Sequence, residues 1–284
     1  MTIAVPSKGR VREPSFRLLE DIGIKADASN ERKLILPTSR PGVRLLLART
    51  MDIPFLVGYG AADLGIAGLD AITEQVIATG TLPVQQLLPL DFGACRVVVA
   101  APDDVTSIRS IRSIATALPG ITVNYCESEG INAELIKFGG ALEILPRLGI
   151  ADAIVDQVVT GRTLEESCLR VLAVIMESQM FLMANLDSMK SRKSEIDWIV
   201  LAAEGALAGR TRIMIKVNAA TEEIRDRLVK LLPAMKSPDV SPLEGCGYSI
   251  AAAVPKQGLE NLIVSLKAAG GTDIIVWPLW MAVL

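Results

Sequence analysis

Short aliphatic runs separated by segments of helical period constrain this chain more than any other feature. Residues 2–5, 44–48, 64–67 and 95–101 are rich in Val, Ile, Leu and Ala and are strand-length rather than helix-length. Between the first two, residues 13–22 place Phe16, Leu19 and Ile22 on one helical face, and residues 54–58 and 71–78 read as further helices. Such βαβ alternation predicts a mostly parallel sheet covered by helices on both faces. The run at 95–101 ends at Pro102-Asp103-Asp104 and opens a second, smaller α/β set. There the pattern predicts strands over 121–125, 142–145 and 152–155 and a helix over 131–138. Strands over 169–175 and 180–184 follow. The long runs near Cys95 and Val171 read as crossovers between two lobes, with a ligand cleft between them.

A helix over 188–207 leads to a different pattern. Strands over 210–217, 239–243, 248–254 and 273–277 and helices over 221–232 and 258–269 give the order β-α-β-β-α-β, which is the ferredoxin-like arrangement. A chain of 284 residues accommodates the two or three domains this implies. The apolar C-terminus, residues 274–284, reads as a last strand plus a tail that packs elsewhere, on another subunit for example.

Composition narrows the chemistry. A net charge of −3 supplies no general basic field, which argues against nucleic-acid binding and leaves anion recognition to local arginines. The sequence contains no histidine, so the usual general base and every Ser-His or Cys-His nucleophile are excluded. The four cysteines, Cys95, Cys126, Cys168 and Cys246, form no C-x-x-C pair and read as reduced thiols, with no structural zinc site. No apolar stretch reaches the roughly 20 residues that span a bilayer, and no secretory leader is expected at the N-terminus. A soluble, cytoplasmic protein is the expectation.

Three loops could carry chemistry. The first is Asp156-Gln157-Val158-Val159-Thr160-Gly161-Arg162-Thr163-Leu164, where a buried strand enters a helix through a glycine turn. Glycine permits close backbone approach to an anion, and a helix N-terminus aims free N–H groups at it. A plain helix capped by Thr160 or Thr163 explains the same letters. The second is Pro6-Ser7-Lys8-Gly9-Arg10, with two cations at the carboxyl end of a strand, where open α/β sheets place ligands. It is not a Walker loop. In the third, a strand containing Gly65 ends at Gly68 and enters a helix that starts at Asp70, which would serve as ligand contact or as helix cap. Arg49 and Arg96 add candidate cations, and Glu143 sits in an apolar strand.

The order of these stretches resembles the long form of ATP phosphoribosyltransferase. The resemblance runs through "AVPSKGR", "DIPFLVGYGAADLGIAGLD", "GALEILPRLGIADAIVDQVVTGRTL" and "SPDVSPL", from residue 4 to residue 243. It implies a two-lobed catalytic core like periplasmic binding proteins, with lobe I at 1–91 and 176–205 and lobe II at 92–175. A ferredoxin-like (ACT-like) regulatory domain would occupy 206–284. It further implies transfer of the 5-phosphoribosyl group of phosphoribosyl pyrophosphate (PRPP) to ATP, Mg2+ dependence, feedback inhibition by histidine and a dimer–hexamer equilibrium. Carried over by position, Asp156, Thr160, Gly161, Arg162, Thr163 and Leu164 would bind PRPP, and Lys8, Gly9, Arg10, Arg49, Gly65, Gly68 and Asp70 would bind ATP. Lys8, Arg10, Arg49 and Arg96 would stabilise phosphate charge, with Glu143 assisting late proton removal. Asp239, Ser241 and Leu243 would meet histidine. Arg162 stands where the family often has a small residue, and Trp277-Pro278-Leu279-Trp280-Met281 replaces the family's charged ending. A non-enzymatic two-lobed sensor shares the lobes and the tail but needs no phosphate loop.

Overall fold

The computed structural model of the chain describes residues 1–27 and 33–283. It divides into two compact units, Met1–Asp197 and Trp198–Leu284.

The first unit begins with β1 (Thr2–Pro6), buried along its whole length, and α1 (Arg12–Asp21), whose Ser15, Leu18 and Leu19 face inward. Next come β2 (Ile35–Pro37), β3 (Arg44–Ala48), α2 (Ile53–Gly58), β4 (Leu64–Gly68), α3 (Leu69–Thr79) and β5 (Val84–Pro89). The chain then leaves this lobe for β6 (Cys95–Pro102), β7 (Ser113–Thr116), α4 (Pro119–Glu129), β8 (Glu134–Lys137), β9 (Ala153–Val158), the short α5 (Arg162–Glu166) and β10 (Leu169–Ser178). It returns as β11 (Met180–Asn185), followed by α6 (Leu186–Ser191) and the first turn of α7 (Lys193–Thr211), which from Trp198 onward belongs to the second unit.

Two sheets result. Lobe I holds the order β2-β3-β1-β4-β11-β5, and lobe II the order β10-β6-β9-β7-β8. Both sheets are mixed, not mostly parallel. β1 runs parallel to β3 and β4, but β2 pairs with β3, and β11 with β4 and β5, antiparallel. The reason is connectivity: β2 turns directly back into β3, and β11 enters from the other lobe. In lobe II, β7 is parallel to β8 and β9, whereas the long strands β6 and β10 are antiparallel partners.

Lobe II differs from the expected pattern in three segments. Residues 121–125 lie in helix α4, because Leu118, Ile121, Thr122 and Cys126 recur at helical spacing and all are buried. Pro119 in the first turn and left-handed Gly130 at the C-cap bound it. The segment 131–138 supplies strand β8 rather than a helix, paired in register with β7. Residues Leu142–Ile144 form one 3-10 turn, so Glu143 lies on a turn and not in a strand. Strands β2, β5 and β7 had no counterpart in the sequence reading, and the single helix over 188–207 is broken at Arg192 into α6 and α7.

The second unit contains β12 (Arg212–Ala219), α8 (Glu222–Leu231), β13 (Asp239–Pro242), β14 (Tyr248–Pro255), α9 (Leu259–Ala268) and β15 (Thr272–Pro278). Its antiparallel sheet has the order β13-β14-β12-β15, the ferredoxin-like topology. Ile215, Val217, Leu228, Ile250, Val254 and Leu266 form its core. The C-terminal tail packs on α7 within this unit. The Ala282 N–H donates to the Gly205 carbonyl at 2.9 Å, and a Cβ at Gly209 would stand 2.8 Å from the Trp280 carbonyl oxygen. Gly205 and Gly209, one turn apart, thereby open the groove that the tail fills.

Candidate active site

Parallel strands bring their carboxyl ends together. In lobe I the ends of β1, β3 and β4 gather the Ser7–Arg10 turn, Arg49 and Gly68; in lobe II the ends of β7 and β9 gather the N-termini of α4 and α5. This is where an open α/β sheet binds ligands.

The lobes meet at two crossover segments that hydrogen-bond each other, Leu90 N–H to the Met180 carbonyl at 2.8 Å and Met180 N–H to the Phe92 carbonyl at 3.2 Å. Beside them opens a cavity of about 610 Å3, lined by Leu69, Cys95, Arg96, Val158, Ser178 and Phe181 among others. Its volume suits a nucleotide-sized ligand.

A buried polar network joins the lobes at this wall. Asp70 is 4% exposed. One of its carboxylate oxygens accepts from the Ser178 hydroxyl at 2.5 Å, and the other accepts from the Gln157 amide. The Asp70 N–H in turn donates to Ser178 Oγ at 3.1 Å. Asp70 is therefore not a helix cap: Gly68 holds that position and α3 starts at Leu69. A side chain at Gly68 would collide with the Asp70 carboxylate, so the glycine is what lets that carboxylate fold back.

The glycine turn in lobe II leads from β9 into the five-residue α5. Gly161 is the N-cap of α5, at φ +83°, and no side chain caps the helix. Neither Thr160 nor Thr163 therefore acts as the cap; both are exposed. Arg162 points along the helix to Glu166, with Nε 3.1 Å from a carboxylate oxygen. The Leu164 side chain is buried in the lobe II core with Val98 and Ile154. Asp156, upstream on β9, has its carboxyl pushed above the ordinary value by burial; a hydrogen bond from Gln157 N–H opposes this, and the charge of Glu143 adds to it.

The remaining expected residues divide. Lys8, Gly9, Arg49 and Arg96 are exposed, Gly9 at φ +83°. Arg10 donates to the Gly93 and Ala94 carbonyls, both at 3.2 Å, and so ties the first loop to a crossover. Gly65 answers to packing: a Cβ there would lie 2.7 Å from both Ile53 and Val57. Of the expected residues, Arg96 lines the cavity directly. The sequence assigns Gln157, Ser178 and Cys95 no role in the site; a polar Gln157 near the end of the apolar strand β9 is the available signal. The Cys95 thiol is pushed up by burial first and by the Asp70 carboxylate second, with Arg10 opposing. In the second unit, Asp239 and Ser241 lie on the exposed edge strand β13, and the Leu243 N–H donates to the Gly247 carbonyl at 3.0 Å.

The family described as "HisG: ATP phosphoribosyltransferase" matches residues 49–205, and "HisG, C-terminal domain" matches residues 209–280. ATP phosphoribosyltransferases from Sulfurisphaera tokodaii and Metallosphaera sedula are 37% and 38% identical to the chain, each alignment covering 97% of both sequences. An ATP phosphoribosyl transferase (HisG:HisZ) complex from Thermotoga maritima contains a chain of similar structure. The match has a TM-score of 0.64 and 27% identity, over 72% of this chain and 95% of that one. The uncapped glycine turn, the cleft at the strand ends and these full-length similarities lead to one conclusion: the chain is a phosphoribosyltransferase and belongs to the ATP phosphoribosyltransferase family of histidine biosynthesis.

Proposed function

We propose that this enzyme transfers the 5-phosphoribosyl group of PRPP to N1 of the ATP adenine, releasing pyrophosphate, as the first step of histidine biosynthesis. The observation that best supports this reading is the uncapped Gly161 turn at the carboxyl end of β9, close in sequence to Val158 and Val159 of the cavity wall. The N1 lone pair forms the new bond to C1 of the ribose, while the C1–O bond breaks and its electrons leave with pyrophosphate. The proton then departs from the exocyclic amine of an already cationic ring. No strong base is needed, which suits a chain without histidine. Glu143 is our candidate acceptor for that late proton.

Catalysis then rests on positioning two anions and on stabilising the leaving group. Lys8, Arg49 and Arg96 would supply charge at the strand ends, and Arg10 would do so while holding the crossover. Backbone N–H groups and the hydroxyls of Thr160 and Thr163 would grip the 5′-phosphate, with Asp156 on the ribose hydroxyls. Among the described residues no group of three His, Cys, Asp or Glu stands ready to hold a metal. Mg2+ is commonly held by one or two carboxylates and the substrate's own phosphates, a pattern that Asp156 fits. When bound, Mg2+ would neutralise charge on pyrophosphate. We further propose histidine inhibition through the second unit, near Asp239, Ser241 and Leu243, in a cytoplasmic homodimer or homohexamer. Among the described residues no helix is long and apolar enough to cross a membrane.

Incubation with ATP, PRPP and Mg2+ should yield N1-ribosylated ATP and pyrophosphate in equal amounts. Ligand binding with no turnover would replace this reading with the two-lobed sensor.

A further inference from the structure

Helix α4 begins without a cap of its own. Leu118 occupies its N-cap with no side-chain hydrogen bond, and Pro119 has no N–H to offer. The first free donors, the N–H groups of Gly120 and Ile121, go instead to the two carboxylate oxygens of Glu74, at 2.8 and 2.9 Å. Glu74 belongs to α3 in the other lobe and is only 6% exposed. Two charge-assisted hydrogen bonds at a helix N-terminus are among the stronger polar contacts a carboxylate can make. The approach is close enough to require glycine at 120, where a Cβ would stand 2.8 Å from Ile77 of α3 and 3.2 Å from the Glu74 carboxylate. Asp70, one turn earlier on the same face of α3, also reaches across, to Gln157. Helix α3 thus sends two buried carboxylates into lobe II in addition to the two crossovers of the backbone.

We propose that Glu74 is a positioning residue that sets the angle between the lobes and so keeps the cleft formed before substrate arrives, an inference that rests on the cleft being the transfer site. A two-lobed fold joined only by crossovers would pay for closure each time it binds. Glu74 removes that cost by pinning α4 to α3. It touches no substrate, so its loss should act on binding rather than on the chemical step.

Two measurements test this. With Glu74→Ala, KM for both ATP and PRPP should rise about tenfold, as when the competent orientation falls to roughly a tenth of the population, while kcat stays within about threefold. Glu74→Gln, with one acceptor oxygen left, should fall between that variant and the parent. Separately, spin labels at exposed Cys168 of lobe II and at an introduced Gln85→Cys on β5, in a Cys246→Ser background diluted with unlabelled protein, report the distance between lobes. The parent should give one narrow distribution with or without ATP. The Glu74→Ala protein should give a broad one that ATP narrows. A narrow, unchanged distribution in Glu74→Ala, or a loss confined to kcat, overturns the proposal. Should Glu74→Ala fail to fold, Glu74→Gln and Gly120→Ala attack the same contact from either side, and a parent-like distribution in both overturns it as well. If the parent turns out not to transfer phosphoribosyl groups, the distance measurement still decides the role of Glu74, so the two readings fail separately.

Discussion

At the residue scale, Asp156 shows what burying a carboxyl costs. Its carboxyl titrates above the ordinary value because it is buried beside Glu143. The native state therefore holds that proton more tightly than the unfolded chain does. Stability falls as pH rises through the window above the unfolded value, and the loss persists at neutral pH. Asp156→Asn should accordingly raise the thermal midpoint at pH 7, with the gain closing below roughly pH 4, while PRPP binding weakens. A lower midpoint at pH 7 would contradict this account. The threonines make a gentler case. Thr160→Ala with Thr163→Ala should weaken PRPP binding by about 0.5–1.5 kcal/mol per lost hydroxyl bond, because the backbone N–H groups survive. Unchanged affinity in the folded double variant, read by calorimetry, would rule out the loop. Cys95 offers a third test: with its thiol pushed up, alkylation near pH 7.5 should label exposed Cys168 and Cys246 first, and ATP should slow Cys95 further.

At the element scale, the sequence was informative where local chemistry decides and misleading where tertiary context does. Residues 44–48 form the strand expected, and the turn expected at Gly161 is present, with that glycine at positive φ. The run Ile121-Thr122-Val123-Asn124-Tyr125 has strand-like residues yet forms α4, because packing on Val97, Ile114 and Val155 overrode propensity. The polar network escaped the sequence altogether, since Glu74 and Gly120 lie 46 positions apart and Asp70 and Ser178 lie 108 apart. Glycines of the same resemblance also proved to serve different ends. Gly65→Ala should cost about 1–3 kcal/mol of stability through overpacking against Ile53 and Val57, with substrate affinity little changed in the folded fraction. Gly161→Ala has open space for its Cβ but must hold φ +83°, at about 1–2 kcal/mol, so it should distort the turn and weaken PRPP binding. Chemical melts paired with binding isotherms separate the two outcomes.

At the scale of the whole molecule, an anionic enzyme is asked to bind two polyanions, and the magnitudes say which charge wins. The chain carries −3 overall. Against a ligand of charge about −4 at about 20 Å, Coulomb's law in water gives a repulsion of about 2.5 kcal/mol before screening. With a Debye length of about 10 Å at 0.1 M salt, about 0.3 kcal/mol of that remains. A single arginine about 4 Å from a phosphate contributes about 4 kcal/mol at a surface-like dielectric. If the proposed contacts of Arg49 and Arg96 form, local cations would therefore dominate the distant field by roughly an order of magnitude. Added salt then has a definite sign. Raising KCl from 0.05 to 0.5 M should increase KM for both ATP and PRPP, because it screens the local attraction more than it relieves the residual repulsion. Neutralising one of those cations, as in Arg96→Gln, should make the increase shallower. A KM that falls with salt, or an Arg96→Gln slope equal to the parent's, would mean that the global field governs binding and that Arg96 meets no phosphate.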